Sequence, residues 1–513
     1  MRISGILFTL FRLLVPPALI FTAYLYLYPA AHGCAFPDAK PAEAGCSTPG
    51  QQKAYTPPEI APFRLLALGD PQLEGDTSLP DPDAPIFPSL RLLQERLLDG
   101  DVRGLSIAAQ DLFGKDVGKV FQGYRKKTDL WGNDLYLAHI YRSVRWWTQP
   151  THTVVLGDLL GSQWIGDEEF YRRSDRYWNR VFKGGKKVER NITDANGRTE
   201  TLGENDSWER RIIAVAGNND IGYAGDIHEQ RIERFEDAFG RVNWDIRFKL
   251  DGNYTQSDTG LSFKDVAPEL HLIILNSMNL DDPAYDPRLQ EESRNFLGEQ
   301  LRSAYAARPY TGTVLLTHIP LHKEPGVCVD PPYFSYFSSN QGGGIREQNH
   351  LTRASSDLIL DNLIGPDRHT AIVLNGHDHE GCDTYHYRDV IDTDVWIEER
   401  DSAWMATPFS SSASERADAN TKGLREITVR SMMGSYHGNA GLLSAWFDHD
   451  AWEWKYEYDV CVLGVQHVWW AVHVLDIIVI GLGLSSVVAG FLEYHLTTRG
   501  EAAADKERKV KNA

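Results

Sequence analysis

The chain is 513 residues long, enough for one large domain with a well-buried core plus appendages. Acids outnumber bases by 71 to 52, a formal net charge of -19, which argues against a nucleic-acid partner held through its phosphates. Five cysteines without a C-x-x-C pair argue against a disulfide-dense scaffold, a structural zinc site and thioredoxin chemistry.

In chain order, residues 1–31 open with Arg2 and Arg12 and run almost wholly apolar from Leu13 to Ala31. The stretch predicts an uncleaved membrane anchor; a signal peptide cut near Ala30 or Ala31 is the other reading. Residues 32–62 are rich in Pro, Ala and Gly and predict a linker. Within it, Cys34 and Cys46 lie close together in sequence and could bridge, as could Cys328 and Cys382 across the fold, leaving Cys461 unpaired; free buried thiols are the other reading.

From 63 to 460 short β-type runs alternate with helical patterns, predicting an α/β layered domain. Strands are expected at Phe63–Leu68, Thr153–Leu156, Ile212–Ala216, Leu272–Leu275, Thr313–Thr317 and Ala371–Leu374. Helices are expected near Asp134–Trp147, Glu229–Phe239, Arg288–Ala307 and Thr352–Leu363. Past Gly381 the strand-like runs Glu426–Met432, Leu442–Phe447 and Trp452–Tyr458 are expected to complete a second sheet. Two polar stretches, 165–208 and 323–350, are read as insertions.

A second apolar run, 468–492, opens on Trp469 and Trp470 and predicts a transmembrane helix followed by a basic tail, 493–513. Positive charge outside both spans puts both termini in the cytosol and the region between them in a lumen. Sequons at Asn191, Asn205 and Asn253 agree with glycosylation there. Lys509 and Lys511 stand where a Lys-x-Lys-x-x retrieval signal to the endoplasmic reticulum places them, which implies COPI-type machinery as a partner.

Five apolar strands end in a potential metal ligand: Asp70, Asp158, Asn218, His318, and the pair His377 and His379. Ligands of open α/β sheets gather at the carboxyl ends of strands, so these tips are expected to meet. Singly, an Asp after a strand is more often a turn or helix cap. Together, two carboxylates, one amide and three imidazoles without thiolate suit a pair of manganese, iron or zinc ions, which can clamp both oxygens of a phosphoryl transfer.

The ordered set Gly69-Asp70-Pro71-Gln72, Gly157-Asp158, Gly217-Asn218-Asn219-Asp220, Thr317-His318 and Gly376-His377-Asp378-His379 resembles the calcineurin-like metallophosphoesterase superfamily. The run His377-Asp378-His379-Glu380-Gly381-Cys382-Asp383 between two membrane spans resembles the endoplasmic-reticulum branch that trims ethanolamine phosphate from glycosylphosphatidylinositol (GPI) glycans. The resemblance implies a four-layer β-sandwich flanked by helices, with one transmembrane helix at each end. It implies two divalent ions, manganese first, with Asp158 bridging, Asp70 and His379 on one and Asn218, His318 and His377 on the other. GPI lipid or GPI-anchored proteins are the implied substrates.

Two positions depart from the superfamily pattern. Gln72 stands where a histidine ligand is usual, and an amide is a poorer donor. Asn219 replaces the histidine that protonates the leaving group; His322 or His437 would have to supply that proton, or the step runs slowly. Asp220 is expected to orient its neighbours or to cap a helix. The two departures keep other readings open: a metallophosphatase acting on another lumenal phosphoester, or a catalytically weak GPI-cargo trafficking protein.

Overall fold

The computed structural model describes residues 2–39, 59–75, 85–195, 197–251, 267–307, 310–328, 333–364, 370–389, 404–417 and 421–511. Asn253 and Cys46 lie outside the described residues. The chain divides into two compact units, one of Met1–Gly33, Tyr436–Gly438 and Val462–Ala513, the other of Cys34–Ser435 and Asn439–Cys461.

The first unit holds the helices Ile3–Ala31 and Gln466–Lys511. Both are long and apolar enough to cross a membrane. The first begins at Ile3, ahead of the apolar run from Leu13, and the Ser4 hydroxyl in its first turn donates to Glu493 of the second helix at 2.6 Å. Asp476, an acid within the second apolar helix, receives the Thr22 hydroxyl at 3.0 Å on each carboxylate oxygen, so the two helices satisfy it between them.

The second unit is built on two mixed sheets. Its strands, in chain order, are β1 (Phe63–Leu68), β2 (His152–Val155), β3 (Lys186–Lys187), β4 (Arg198–Thr201), β5 (Arg211–Ala214), β6 (Trp244–Lys249), β7 (Glu269–Ile274) and β8 (Thr311–Leu316). They continue with β9 (Phe334–Tyr336), β10 (Ile345–Gln348), β11 (Ala371–Asn375), β12 (Cys382–Asp389), β13 (Met405–Pro408), β14 (Thr421–Thr428), β15 (His437–Asp448) and β16 (Glu453–Val465). One sheet has the order β16-β15-β1-β2-β5-β3, the other β13-β12-β14-β11-β8-β7-β6-β4, and β9 pairs with β10 alone.

The period of two along each strand explains the layering. Phe63, Leu65 and Ala67 of β1 join Val314 and Leu316 of β8 and Ile372 and Leu374 of β11 in one core between the sheets. The alternate residues Leu66, Leu68, Leu315 and Val373 are buried as well, so the outer faces are covered too, as continuous apolar strands require. Helices supply that cover. Pro287–Tyr305 starts at a proline in its first turn, with Asp286 accepting from the Arg288 amide at 3.0 Å, and buries Leu289, Leu297 and Leu301.

Several expectations are corrected. Leu442–Phe447 and Trp452–Tyr458 do not extend the second sheet: β15 pairs antiparallel with β1, Leu65 opposite Leu443, and so completes the first. The expected helix near Asp134 is the last part of Val117–Thr148. Two helices before it, Pro88–Leu98 and Val102–Asp111, match no sequence expectation. The stretch 165–208 contributes β3 and β4 to sheet edges and the helix Asp167–Arg176. Cys34 bonds to Cys461, not Cys46, with their Cα atoms 4.9 Å apart; nothing local in the sequence shows that the chain just after the first apolar helix meets the end of β16. The Cys328–Cys382 bridge forms as expected.

Candidate metal centre

Three tips come from one sheet and two from the other. β1, β2 and β5 run parallel and end just before Asp70, Asp158 and Asn218; β8 and β11 run parallel and end before His318 and His377. The seam between them is hydrogen-bonded. His318 Nδ1 donates to the Leu156 carbonyl at 2.6 Å, and the His377 amide donates to both oxygens of Asp70 at 3.2 Å.

Glycine makes this approach possible. A Cβ on Gly157, which has φ 96°, would lie 2.1 Å from His318 Nδ1, and one on Gly217 would lie 2.2 Å from the Asp158 amide nitrogen. The liganding segments are themselves held in an uncommon conformation: Asp70, Gln72, Asp158 and His377 have φ of 41°, 42°, 48° and 73°. Left-handed backbone at a non-glycine costs on the order of 1 kcal/mol or more, and its concentration at four neighbouring positions is typical of a functional site.

Asp70, Asp158 and His379 each bring a ligand atom within 4.8 Å of one another. The amide end of Gln72 lies between two of them, Nε2 being 3.0 Å from Asp158 Oδ2 and 3.1 Å from His379 Nε2. An amide binds a cation through oxygen, so its flipped orientation is the liganding one. Asn218 Oδ1 and His318 Nε2 stand 3.1 Å apart, with the same nitrogen 3.4 Å from Asp158 Oδ1. The His377 ring packs edge-on to His318, centroids 5.0 Å apart. The six expected ligands and Gln72 therefore gather at one seam.

The residues fit a metal on two grounds. Asp70 and Asp158 are almost wholly buried, and burial first, then the facing Asp158 carboxylate, pushes Asp70 well above the ordinary carboxylate range. Two acids so placed demand positive charge, which a divalent cation supplies. Second, His318 and His377 each give one ring N–H to a backbone carbonyl, Leu156 and Gln348 (2.9 Å), which leaves the other nitrogen of each as a bare donor atom. Burial first, then His318, lowers His377 to about 4, so the ring is neutral as a ligand must be.

Asn219 and Asp220 are placed behind the ligands. Asn219 gives its amide N–H to Asp158 Oδ1 at 2.8 Å and its side-chain Nδ2 to Oδ2 at 2.5 Å, so it holds the carboxylate. Asp220, fully buried, accepts from the amides of Gly217, Leu159 and Leu160 at 2.9, 3.2 and 3.0 Å and so ties the Asp158 loop to the Asn218 loop. Burial, then Asp158, raises it to about 8. His322 sits in the loop after His318 beside Glu324, at 3.7 Å; His437 falls in the unit of the terminal helices. Asn191 is exposed, while Asn205 accepts from the Ser207 amide at 3.1 Å and caps a short turn.

Sequence reasoning passes over three contributors. The Gln348 carbonyl that orients His377 carries no side-chain signal. Tyr223, buried with its ring 6.2 Å from that of His377, follows Asn218 by five residues, and the shared loop is its one signal. Glu426 of β14 lies under the site, fully buried: it accepts from Asn375 Nδ2 at 2.6 Å, the Leu321 amide at 2.7 Å, Lys323 Nζ at 2.8 Å and His386 Nε2 at 2.6 Å. It thereby joins the loop after His318 to the strand that carries His377.

Oxygen and nitrogen donors at the tips of two facing sheets define a metallophosphoesterase-type centre. No protein-family model matches the chain. It is 33% identical over 394 residues to Protein TED1 of Saccharomyces cerevisiae, covering 68% of this chain and 75% of that one. An uncharacterised protein of Schizosaccharomyces pombe is 28% identical over 69% of this chain and 80% of its own. Metallophosphoesterase 1 of Cricetulus griseus is 22% identical, covering 49% of this chain and 55% of its own length. The chain belongs to the TED1 family, within the calcineurin-like metallophosphoesterase superfamily and the GPI-glycan branch whose motifs it carries.

Proposed function

We propose that the chain is a metal-dependent phosphodiesterase of the endoplasmic-reticulum membrane that removes ethanolamine phosphate from a mannose of the GPI glycan, in the lumen, and so helps GPI-anchored proteins to mature and leave. The observation that carries the reading is the meeting of Asp70, Asp158 and His379 within 4.8 Å at the seam where Asn218, His318 and His377 also end. Two apolar helices suit a lipid-linked substrate, and the sequons and terminal lysines suit a lumenal domain with COPI-type retrieval.

Asp158 is the ligand placed to be shared; Asp70, Gln72 and His379 stand on one side of it, Asn218, His318 and His377 on the other. Two divalent ions held there, manganese foremost, would supply positive charge to the phosphoryl oxygens and acidify a water. The protein's own part is orientation. Asn219 fixes the Asp158 carboxylate, the Leu156 and Gln348 carbonyls fix the imidazoles, and Asp220 fixes the loops that carry them. The reaction splits the phosphorus–oxygen bond to mannose, and the leaving oxygen takes its proton from water or from a group other than Asn219.

Mass analysis of GPI glycans from cells lacking the chain tests this: retained ethanolamine phosphate supports it, and unchanged glycans overturn it. The amides of Gln72 and Asn219 on Asp158 favour one second reading, a GPI-cargo binding protein with weak turnover. Cells carrying Asp158→Ala with normal glycans and normal cargo exit would exclude the enzyme, and normal glycans with slowed exit would select the binding role.

A further inference from the structure

The helical arm at 86–131 is the part of the described surface that the metal centre leaves unexplained. Pro88–Leu98 and Val102–Asp111 lead through 112–116 into Val117–Thr148. Between 86 and 121 the fully buried residues are Ser89, Ala108 and Asp116; Leu93, Leu105, Leu112 and Val120 are partly covered, and no large apolar side chain of the stretch is fully buried. Leu90, Leu97, Leu98, Ile107, Phe113 and Phe121 are all exposed, Leu98 to 79%, Phe113 to 74% and Phe121 to 71%. Single exposed leucines are ordinary; successive helices that fully bury none of their large apolar residues mark an interaction surface.

The arm is ordered by its own hydrogen bonds. The Ser89 amide donates to the buried Asp116 carboxylate at 2.8 Å, and Asp101 accepts from the Gly104 amide at 2.9 Å at the start of its helix. Its charge runs against that of the chain: eight lysines and arginines face six acids over 86–131, where the whole sequence has 52 bases and 71 acids. Exposed Tyr124 precedes Arg125, Lys126 and Lys127, and Trp131, half exposed, follows within two turns. Apolar side chains, basic groups and interfacial aromatic rings on helices are the composition that seats a segment among lipid headgroups, and this chain carries two helices able to cross a bilayer.

We infer that the arm is a membrane-surface docking element whose occupant is an anionic lipid bilayer. The helix Val117–Thr148 continues from the exposed Phe121 to buried Leu130 and Leu137, which line a small cavity with Gln72 and Leu73, and Lys126 pairs with Glu74 at 2.9 Å. Seating the arm therefore fixes the Gln72 edge of the metal centre relative to the lipid surface. This goes beyond the proposed function and rests on it only in that the phosphodiester is lipid-borne; the surface itself does not depend on turnover.

The test uses the full chain in nanodiscs of phosphatidylcholine and phosphatidylserine, with nitroxide labels at Leu98→Cys, Phe113→Cys and, as an exposed polar control, Glu291→Cys, all in a Cys46→Ser background. The expected result is that labels at 98 and 113 are severalfold more accessible to oxygen, and severalfold less to a nickel chelate, than the label at 291. Labels at 98 and 113 as open to nickel as the control overturn the proposal. So does protection accompanied by spin–spin broadening between chains, which identifies a second copy as the occupant. Assaying the labelled chain with Asp158 intact separates the two readings: lipid-deep labels in a chain that hydrolyses no GPI phosphodiester would refute the function and leave the docking surface standing.

Discussion

The strand tips around Asp158 and the arm around Phe113 belong to one folded unit and treat water in opposite ways. At the tips, charged groups are buried and every neighbour is recruited to hold them: amides on Asp158, main-chain N–H groups on Asp70 and Asp220, carbonyls on His318 and His377. On the arm, apolar groups are left in solvent although Asp101 caps the helix Val102–Asp111 and Asp116 holds the Ser89 amide. A fold tolerates either only where something from outside completes it, a cation at the tips and a lipid surface on the arm. The same kind of substitution should therefore be ruinous in one region and silent in the other.

The largest effect is expected at the shared ligand. Asp158→Ala should lower phosphodiester turnover by about 10³-fold or more, equivalent to about 4 kcal/mol of transition-state stabilisation, and should abolish the rise in melting temperature expected when a divalent cation is added to the wild type. Turnover kept within tenfold would break the metal assignment. Lys323→Met should cost about 3–5 kcal/mol of folding stability, measured by thermal unfolding, by taking the lysine cation from buried Glu426 and leaving it the hydrogen bonds of His386, Asn375 and the Leu321 amide. A loss below about 1 kcal/mol would mean the pair is dispensable beneath the tips.

Asp220→Asn keeps the side chain's shape but weakens its grip on three amides, and should reduce metal affinity about 10–100-fold in a titration, with stability changed less. His152, packed among Phe63, Trp208 and Phe248, gives a pH effect remote from the centre. Burial lowers it from 6.5 to about 3 in the fold. The unfolded chain takes up the proton below 6.5 and the folded chain does not until about 3, so stability falls as pH drops across that window, by up to about 1.4 kcal/mol per unit. His152→Leu should flatten that slope in denaturant titrations. Smallest of all, Leu98→Glu and Phe113→Glu should change unfolding free energy by less than about 0.5 kcal/mol, since neither buries its side chain.

The tips are legible in the sequence because the fold announces them locally: an apolar run, a glycine or a short polar step, then a donor residue, five times over. Glu229–Phe239 is legible to the residue because its amphipathic face meets a core and Gly240 ends it. The arm is harder to read: Leu90, Leu93 and Leu97 recur at helical spacing, but Pro88–Leu98 starts after Phe87 with no side-chain cap to mark it. The assignment of β15 and β16 to the first sheet depends on which edge was open, Cys34 on where the end of β16 lies, and the grip of Glu426 on contacts more than fifty residues apart; none of these leaves a local trace.

The Cys34–Cys461 bond spans 427 positions and encloses nearly the whole folded body. Topologically the body is a closed ring with two tails, one leaving at each cysteine. A protease that cuts any loop within the ring opens it without releasing a fragment, and tension on either tail reaches the ring at a covalent knot instead of unzipping β16 strand by strand.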